Sequence, residues 1–237
     1  MAGELDGRVI AVAGGAGNLG PTVVQRLADA GALPCVCGRH QRGLDELVSE
    51  IEQPIETDVV DLLDAEATRG WASDLATRHD GRVDGLVHLV GGWRGGTPIE
   101  EAPLEDWDFL SALLVRTVQH ATQAFVPHLV QSGHGRFVLV SAGQAQSPTH
   151  PNAVYAAAKA ASEAWTLALA DRFKATGATA NVVVVGAIVT PQMRAESPDK
   201  DFSTFTPAEE IAAAIAYLCS DAASSMNGQR VTLRGAV

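Results

Sequence analysis

Cysteine is scarce: Cys35, Cys37 and Cys219 are the only three in 237 residues. An odd count argues against a disulfide framework. Cys35 and Cys37 lie two apart in an apolar run, so in a strand they face the same way and read as buried packing residues. No second cysteine pair and no histidine cluster accompanies them, so no metal site is expected. Positive charge is also in short supply. There are 17 Lys and Arg against 28 Asp and Glu, a formal net charge of -11, which makes nucleic acid and anionic membrane poor partners. No apolar run is long enough to span a bilayer and the N-terminal segment has no apolar leader core, so a cytoplasmic protein is expected. Internal repeats, low-complexity tracts and linkers are missing too. The chain therefore reads as one domain over 1–237, and its 46% hydrophobic content can fill one sizeable core.

What is present alternates between strand and helix. Val9–Ala13 is a short apolar run that reads as a buried strand. Gly14-Gly15-Ala16-Gly17-Asn18-Leu19-Gly20 comes next, then a helical pattern through Ala30. Gly15, Gly17 and Gly20 fit the spacing G-x-G-x-x-G. Strand, glycine turn and helix is the setting in which that spacing binds a dinucleotide: the backbone approaches the pyrophosphate, and the helix N-terminus faces the anion. Gly14, Gly17, Asn18, Leu19 and Gly20 are the expected contacts. A second strand, Leu33–Gly38, ends beside Arg39, His40 and Arg42 with no carboxylate at its tip. An acidic residue there would suit a ribose 2′-hydroxyl, whereas Arg39 suits a 2′-phosphate, so NADP(H) is expected over NAD(H).

Further strands are expected over 53–57, 83–90, 136–140, 182–185 and 229–233. Helices are expected over 64–79 and 104–130, with Pro127 either kinking the latter or ending its first part. The polar, proline-containing stretch 186–206 is long enough to be a substrate lid. A last helix should open at Thr206-Pro207, with Thr206 as N-cap and Glu209 at its third helical position. This alternation predicts an α/β fold: a single Rossmann-type, doubly wound parallel sheet of about seven strands with helices on both faces. Ligands in such sheets bind beyond the carboxyl ends of the strands. Gly14, Arg39, Asp58, Gly91, Ser141 and Gly186 all fall at such ends.

The stretch 153–173 is Ala-rich, free of Gly and Pro inside, and preceded by Asn152. It reads as one long helix. Tyr155 and Lys159 are four apart and share a face. A phenol ionises near ~10, and a neighbouring ammonium favours the phenolate, so this pair could exchange a proton near neutral pH.

With the glycine turn, the strand-end Ser141 and Tyr155-x-x-x-Lys159 in place, the chain resembles the short-chain dehydrogenase/reductase family over nearly its full length. The resemblance implies a bound nicotinamide dinucleotide, and Ser141, Tyr155 and Lys159 acting on a carbonyl/alcohol pair. It implies that Gly14 and Gly20 are the outer glycines of the loop, that Asp58 and Val59 pack on adenine, and that Gly91 ends the segment after the fourth strand. It further implies that Ile188 and Thr190 hold the carboxamide side, and that Lys159 also binds nicotinamide ribose hydroxyls. Several positions depart from the family. Asn18 replaces a glycine, His88-Leu89-Val90 replaces Asn-Asn-Ala, Leu114 replaces a catalytic Asn, and Val185 replaces a proline. The serine thirteen residues before the tyrosine is Ala142 here, and Ser141 lies fourteen before. Either a one-residue shift brings Ser141 into the role, or the site runs without it.

Gly91-Gly92-Trp93 and the run 201–207 look like segments of dihydropteridine reductase, a branch that also lacks the usual serine. A quinonoid dihydropterin is thus an alternative substrate to a ketone. A non-catalytic nucleotide-binding sensor is a further alternative, as is use of the cofactor for dehydration or epimerisation. Trp93, Gln144 and Met193 neighbour strand-end loops and are the expected substrate contacts. Trp93 would alternatively serve a subunit interface, and Met193 lid packing. The helices over 104–130 and 153–173 are apolar on more than one face, so a homodimer or homotetramer is expected.

Overall fold

The first strand sets the frame. Val9–Ala13 (β1) is buried at every position, because both of its faces are covered. Its side chains alternate: Ile10 and Val12 enter one core, and Val9, Ala11 and Ala13 the other. This computed structural model describes residues 3–233.

In chain order β1 leads to α1 (Gly20–Asp29), β2 (Leu33–Gly38), α2 (Gln41–Glu50), β3 (Glu56–Val59), α3 (Ala65–Arg78) and β4 (Gly85–His88). Then come α4 (Leu104–Ser111), α5 (Thr117–Ser132), β5 (Arg136–Ala142), α6 (Ala153–Arg172) and β6 (Thr179–Val185). The chain continues through β7 (Ile188–Val189), α7 (Pro191–Glu196), β8 (Thr206–Pro207), α8 (Ala208–Cys219) and β9 (Arg230–Thr232).

Seven strands form one parallel sheet in the order β3-β2-β1-β4-β5-β6-β9. The chain winds outward from β1 in both directions, which leaves a crevice at the carboxyl ends of β1 and β4. One core joins the sheet to α3, α5 and α6 through Leu86, Phe125, Phe137 and Leu139. The other joins it to α1, α2 and α8 through Val12, Val24, Val138, Ile211 and Ile215. This is the doubly wound α/β arrangement expected from the alternation.

Several details differ from expectation. Pro127 neither ends nor breaks its helix; α5 runs through it to Ser132. The irregularity lies earlier, in a π-helical turn at Ala112–Arg116 between α4 and α5. A π turn inserts one residue into the helix and re-aims the residues beyond it. Helix α2 has no counterpart among the expected elements, although its buried Leu44 and Leu47 recur at helical spacing beneath a polar face. Thr206 is not the N-cap of α8. That position is Pro207, with no side-chain bond, and the Thr206 hydroxyl instead accepts from the Gly186 amide at 3.1 Å. The Thr206 amide donates to the Ala187 carbonyl at 2.7 Å, so the stretch 186–206 is pinned together at its two ends. The short parallel pair β7–β8 forms there.

Candidate active site

The glycine turn sits at the carboxyl end of β1. Gly14 adopts φ +79, and a Cβ there would meet Val90 at 2.9 Å. At Gly20 a Cβ would lie 1.7 Å from the Gly15 carbonyl oxygen, so no other residue fits. Helix α1 then begins with Leu19 as N-cap, which contributes no side-chain hydrogen bond. The Gly20 amide donates to the Gly17 carbonyl at 2.8 Å, Pro21 has no amide hydrogen, and the Val23 amide donates to the Leu19 carbonyl at 3.2 Å, so within this first turn the Thr22 amide is the one left to meet an anion. Gly17 and Asn18 are exposed on this turn, while Leu19 is buried beneath it. The cradle suits the pyrophosphate of a dinucleotide.

Arg39 is exposed just past β2 and has no ion-pair partner among the described residues. Arg42, by contrast, pairs with Glu46 at 2.8 Å. Asp58 does not stand free at the end of β3: its carboxylate accepts from Trp71 Nε1 at 3.1 Å and from both Arg78 amino groups at 3.1 and 2.7 Å. Val59 beside it is 53% exposed, an apolar surface open to a flat ring. Gly91 is exposed after β4. Thr190 caps α7 by accepting from the Met193 amide at 3.2 Å, and Ile188 lies in β7.

Tyr155 and Lys159 occupy the first half of α6. The Lys159 ammonium is buried, donates to the Val140 carbonyl at 3.0 Å, and lies 6.0 Å from the Tyr155 ring centroid. Tyr155 packs against Leu110, Leu114 and Ala158. Burial pushes the phenol up to about 12. Burial also pulls the Lys159 ammonium down to about 8, with the charge of Glu163 opposing. The expected depression of the phenol by Lys159 is thus not realised in the chain alone. Desolvation outweighs an ammonium that is itself buried and hydrogen-bonded elsewhere.

Ser141 corrects an expectation more sharply. Its hydroxyl donates to Glu163 Oε1 at 2.6 Å, and the residue is 1% exposed. Glu163 also accepts from Gln146 Nε2 at 3.1 and 3.0 Å and from Arg230 Nε at 2.6 Å. A strand alternates its side chains, so a one-residue offset sends Ser141 to the α6 face. Its hydroxyl is a strut for a buried carboxylate, not a free donor, and Ala142 offers no hydroxyl in its place.

Two of the expected substrate contacts share one rim. Trp93 Nε1 donates to Asn152 Oδ1 at 3.1 Å, Asn152 Nδ2 donates to Thr149 Oγ1 at 3.1 Å, and Thr149 Oγ1 donates to Gln144 Oε1 at 3.3 Å. The Gly96 amide reaches the Pro151 carbonyl at 2.7 Å, docking the glycine loop on the start of α6. The Trp93 ring stays 60% exposed. Met193 lies half-buried in α7, apart from this chain of bonds. Further along the stretch 186–206, Phe202 and Phe205 stack edge to face at 5.1 Å beside a cavity of about 400 Å³.

Sequence reasoning does not single out His88 as a site residue. It ends β4, is fully buried, and both ring nitrogens lack a hydrogen-bond partner. Burial, and then the Lys159 charge, push it down to about 3, so it is neutral. Its signals in the sequence are a polar residue between Val87 and Leu89 in an otherwise apolar strand, and its place in His88-Leu89-Val90 where the resemblance expects Asn-Asn-Ala.

A family model described as short chain dehydrogenase matches residues 8–201. The chain belongs to the short-chain dehydrogenase family. It is therefore an oxidoreductase of a family that binds a nicotinamide dinucleotide. A tropinone reductase homolog of Arabidopsis thaliana is 29% identical, over 98% of this chain and 90% of its own. A short-chain dehydrogenase/reductase of Mycobacterium ulcerans superposes with a TM-score of 0.89 at 25% identity, covering 98% of this chain and 90% of the other. A short-chain oxidoreductase of Pseudomonas aeruginosa, solved with NADPH and described as containing an atypical catalytic center, has a TM-score of 0.87 at 24% identity and covers 98% of both chains. Among the described residues no helix is long and apolar enough to cross a membrane.

Proposed function

We propose that this chain is an NADP(H)-dependent oxidoreductase that reduces a small carbonyl or carbonyl-like group, with Tyr155 as proton donor and Lys159 as its partner. The observation that carries the reading is the pairing of these two side chains on one face of α6, at the end of the sheet where the Gly14–Gly20 cradle opens. The bound nicotinamide supplies the hydride. Tyr155 keeps its proton at neutral pH, since burial pushes it up to about 12, and can release it to a developing alkoxide or nitrogen. Lys159, fixed by the Val140 carbonyl, stays charged below about pH 8. It attracts the proton-depleted phenolate and offers its remaining donors to ribose hydroxyls.

Gly17, Asn18, Leu19 and Gly20 bind the pyrophosphate, Arg39 the 2′-phosphate, Asp58 and Val59 the adenine, and Gly91, Ile188 and Thr190 the nicotinamide half. Arg39 supports the choice of NADP(H) because it is exposed and unpaired among the described residues. Trp93, Gln144 and Met193 face the substrate. The chain acts as one domain and assembles as a homodimer or homotetramer in the cytoplasm.

The test is NADPH oxidation across ketones, quinones and quinonoid dihydropterin, run alongside NADH. Tyr155→Phe should abolish turnover and leave NADPH affinity nearly unchanged; retained turnover removes Tyr155 from the chemistry. A specific observation favours the dihydropterin among these substrates. Ser141 is committed to Glu163 and position 142 is Ala, so no serine hydroxyl is free to clamp a developing oxyanion. A quinonoid ring already has polarised nitrogens and needs that clamp less. Tight NADPH binding without oxidation of any substrate would instead indicate a sensor.

A further inference from the structure

On the α3 face of the sheet, near the opposite ends of β2 and β3 from the glycine turn, three different donor groups converge. Cys35 lies in the middle of β2, and Glu56, the first residue of β3, is its register partner. His79 caps the C-terminus of α3. Cys35 Sγ is 3.9 Å from Glu56 Oε2 and 3.9 Å from His79 Nε2, and His79 Nε2 is 3.2 Å from Glu56 Oε1. One ligand atom from each lies within 4.8 Å of the other two. From these positions we propose that Cys35, Glu56 and His79 form a binding site for a divalent transition-metal ion of the zinc class.

Bond lengths decide whether the cluster is the right size. Zinc holds thiolate sulfur at about 2.3 Å and imidazole nitrogen or carboxylate oxygen at about 2.0–2.2 Å. Tetrahedral angles then set donors roughly 3.3–3.6 Å apart. Cys35 meets Glu56 at Oε2 and His79 meets it at Oε1, so with one ligand atom from each residue the widest gap is within 4.8 Å, and a turn of the carboxylate with side-chain shifts of about 1 Å closes the site. Sulfur, imidazole and a single carboxylate favour zinc, cobalt or nickel over magnesium or calcium, which prefer oxygen sets. The side chains of Glu56 and His79 are 31% and 13% exposed, which gives an entry path and room for water as fourth ligand.

Charge is the main objection, and the neighbours answer it. Arg78 Nε approaches Glu56 Oε2 at 3.3 Å. The same guanidinium, however, grips both oxygens of Asp58 at 3.1 and 2.7 Å, so Asp58 can hold it alone. A Cys35 thiolate, Glu56 and Asp58 carry three negative charges; Arg78 and a divalent ion carry three positive. The metal-free thiol is held protonated, burial and the Glu56 charge pushing it up to about 12. Metal binding would form the sulfur–metal bond and release that proton to solvent. The ion would brace α3 against β2 and β3, with Glu56 two residues before Asp58 and three before Val59.

The experiment needs no turnover and so stands apart from the proposed reaction. Chelator-stripped protein is titrated with Zn²⁺ against a chromophoric competitor, and separately with Co²⁺. One ion per chain is expected, with a thiolate-to-cobalt charge-transfer band and a raised melting temperature with zinc. Cys35→Ser should abolish the band and weaken zinc at least tenfold. Glu56→Gln, close in shape, should weaken zinc without unfolding and covers the case in which Cys35→Ser fails to fold. Failure to compete for zinc overturns the proposal. So does binding that survives both substitutions, which would place the ion on surface histidines.

Discussion

At the scale of single residues, the site shows how strongly one position matters. Ser141 and Ala142 point to opposite sides of β5, and the hydroxyl is spent on Glu163, eight residues beyond Tyr155 on α6. Ser141→Ala should therefore destabilise the fold, by about 1.5–3 kcal/mol for a hydrogen bond to a charged group. It should change kcat less than tenfold. Denaturation and steady-state rates check this; a large loss of kcat at unchanged stability would return Ser141 to the chemistry. His88 gives a second test. Its folded-state pKa lies at about 3, below the ordinary 6.5. The unfolded chain thus binds a proton that the folded chain refuses, and stability falls as pH drops through that window, by about 1.4 kcal/mol per pH unit. His88→Leu should raise the melting temperature, and more at about pH 5 than at pH 7. An equal gain at both values would assign the acid sensitivity to another group.

At the scale of elements, strands β1 and β2 are legible to the residue because apolar runs buried on both faces end in glycine or a basic turn. Helix α6 is legible from its uninterrupted Ala-rich pattern, and the cradle from its glycines. Direction and local winding are not. No spacing rule says that Ser141 faces Glu163, that Pro127 is absorbed within α5, or that the irregularity falls in a π turn at Ala112–Arg116. Nor does sequence distance reveal that Cys35, Glu56 and His79 meet, since they come from three separate elements. The cradle can be tested through its glycines. Gly20→Ala places a methyl 1.7 Å from the Gly15 oxygen and should abolish nucleotide binding and folding of the turn. Gly17→Ala meets only the Gly14 oxygen, at 3.3 Å, and should keep the fold while weakening NADPH. Fluorescence titration and circular dichroism distinguish the two, and equal behaviour would refute the packing argument.

For the molecule as a whole, the α/β sheet is legible from alternation alone, but its outer surface is not. Helix α4 presents Leu104, Trp107 and Phe109 at 86%, 43% and 41% exposure, with Ile99 61% exposed just before it. Arg94 covers part of the Phe109 ring at 3.7 Å. Such a patch on a helix is more than scattered surface apolarity and suits a second copy of the chain. Leu104→Glu combined with Trp107→Glu should give monomers by light scattering while NADPH binding persists. A wild-type protein that is already monomeric at micromolar concentration would dismiss the assembly.

The helix that bears Tyr155 and Lys159 is anchored by an arginine encoded 67 residues beyond its buried carboxylate partner. Arg230 belongs to β9, the edge strand of the sheet opposite β3, so the clasp on that helix comes from the rim of the fold. A change that detaches β9 from β6 would therefore withdraw that guanidinium and slacken the helix that carries every proposed reacting group.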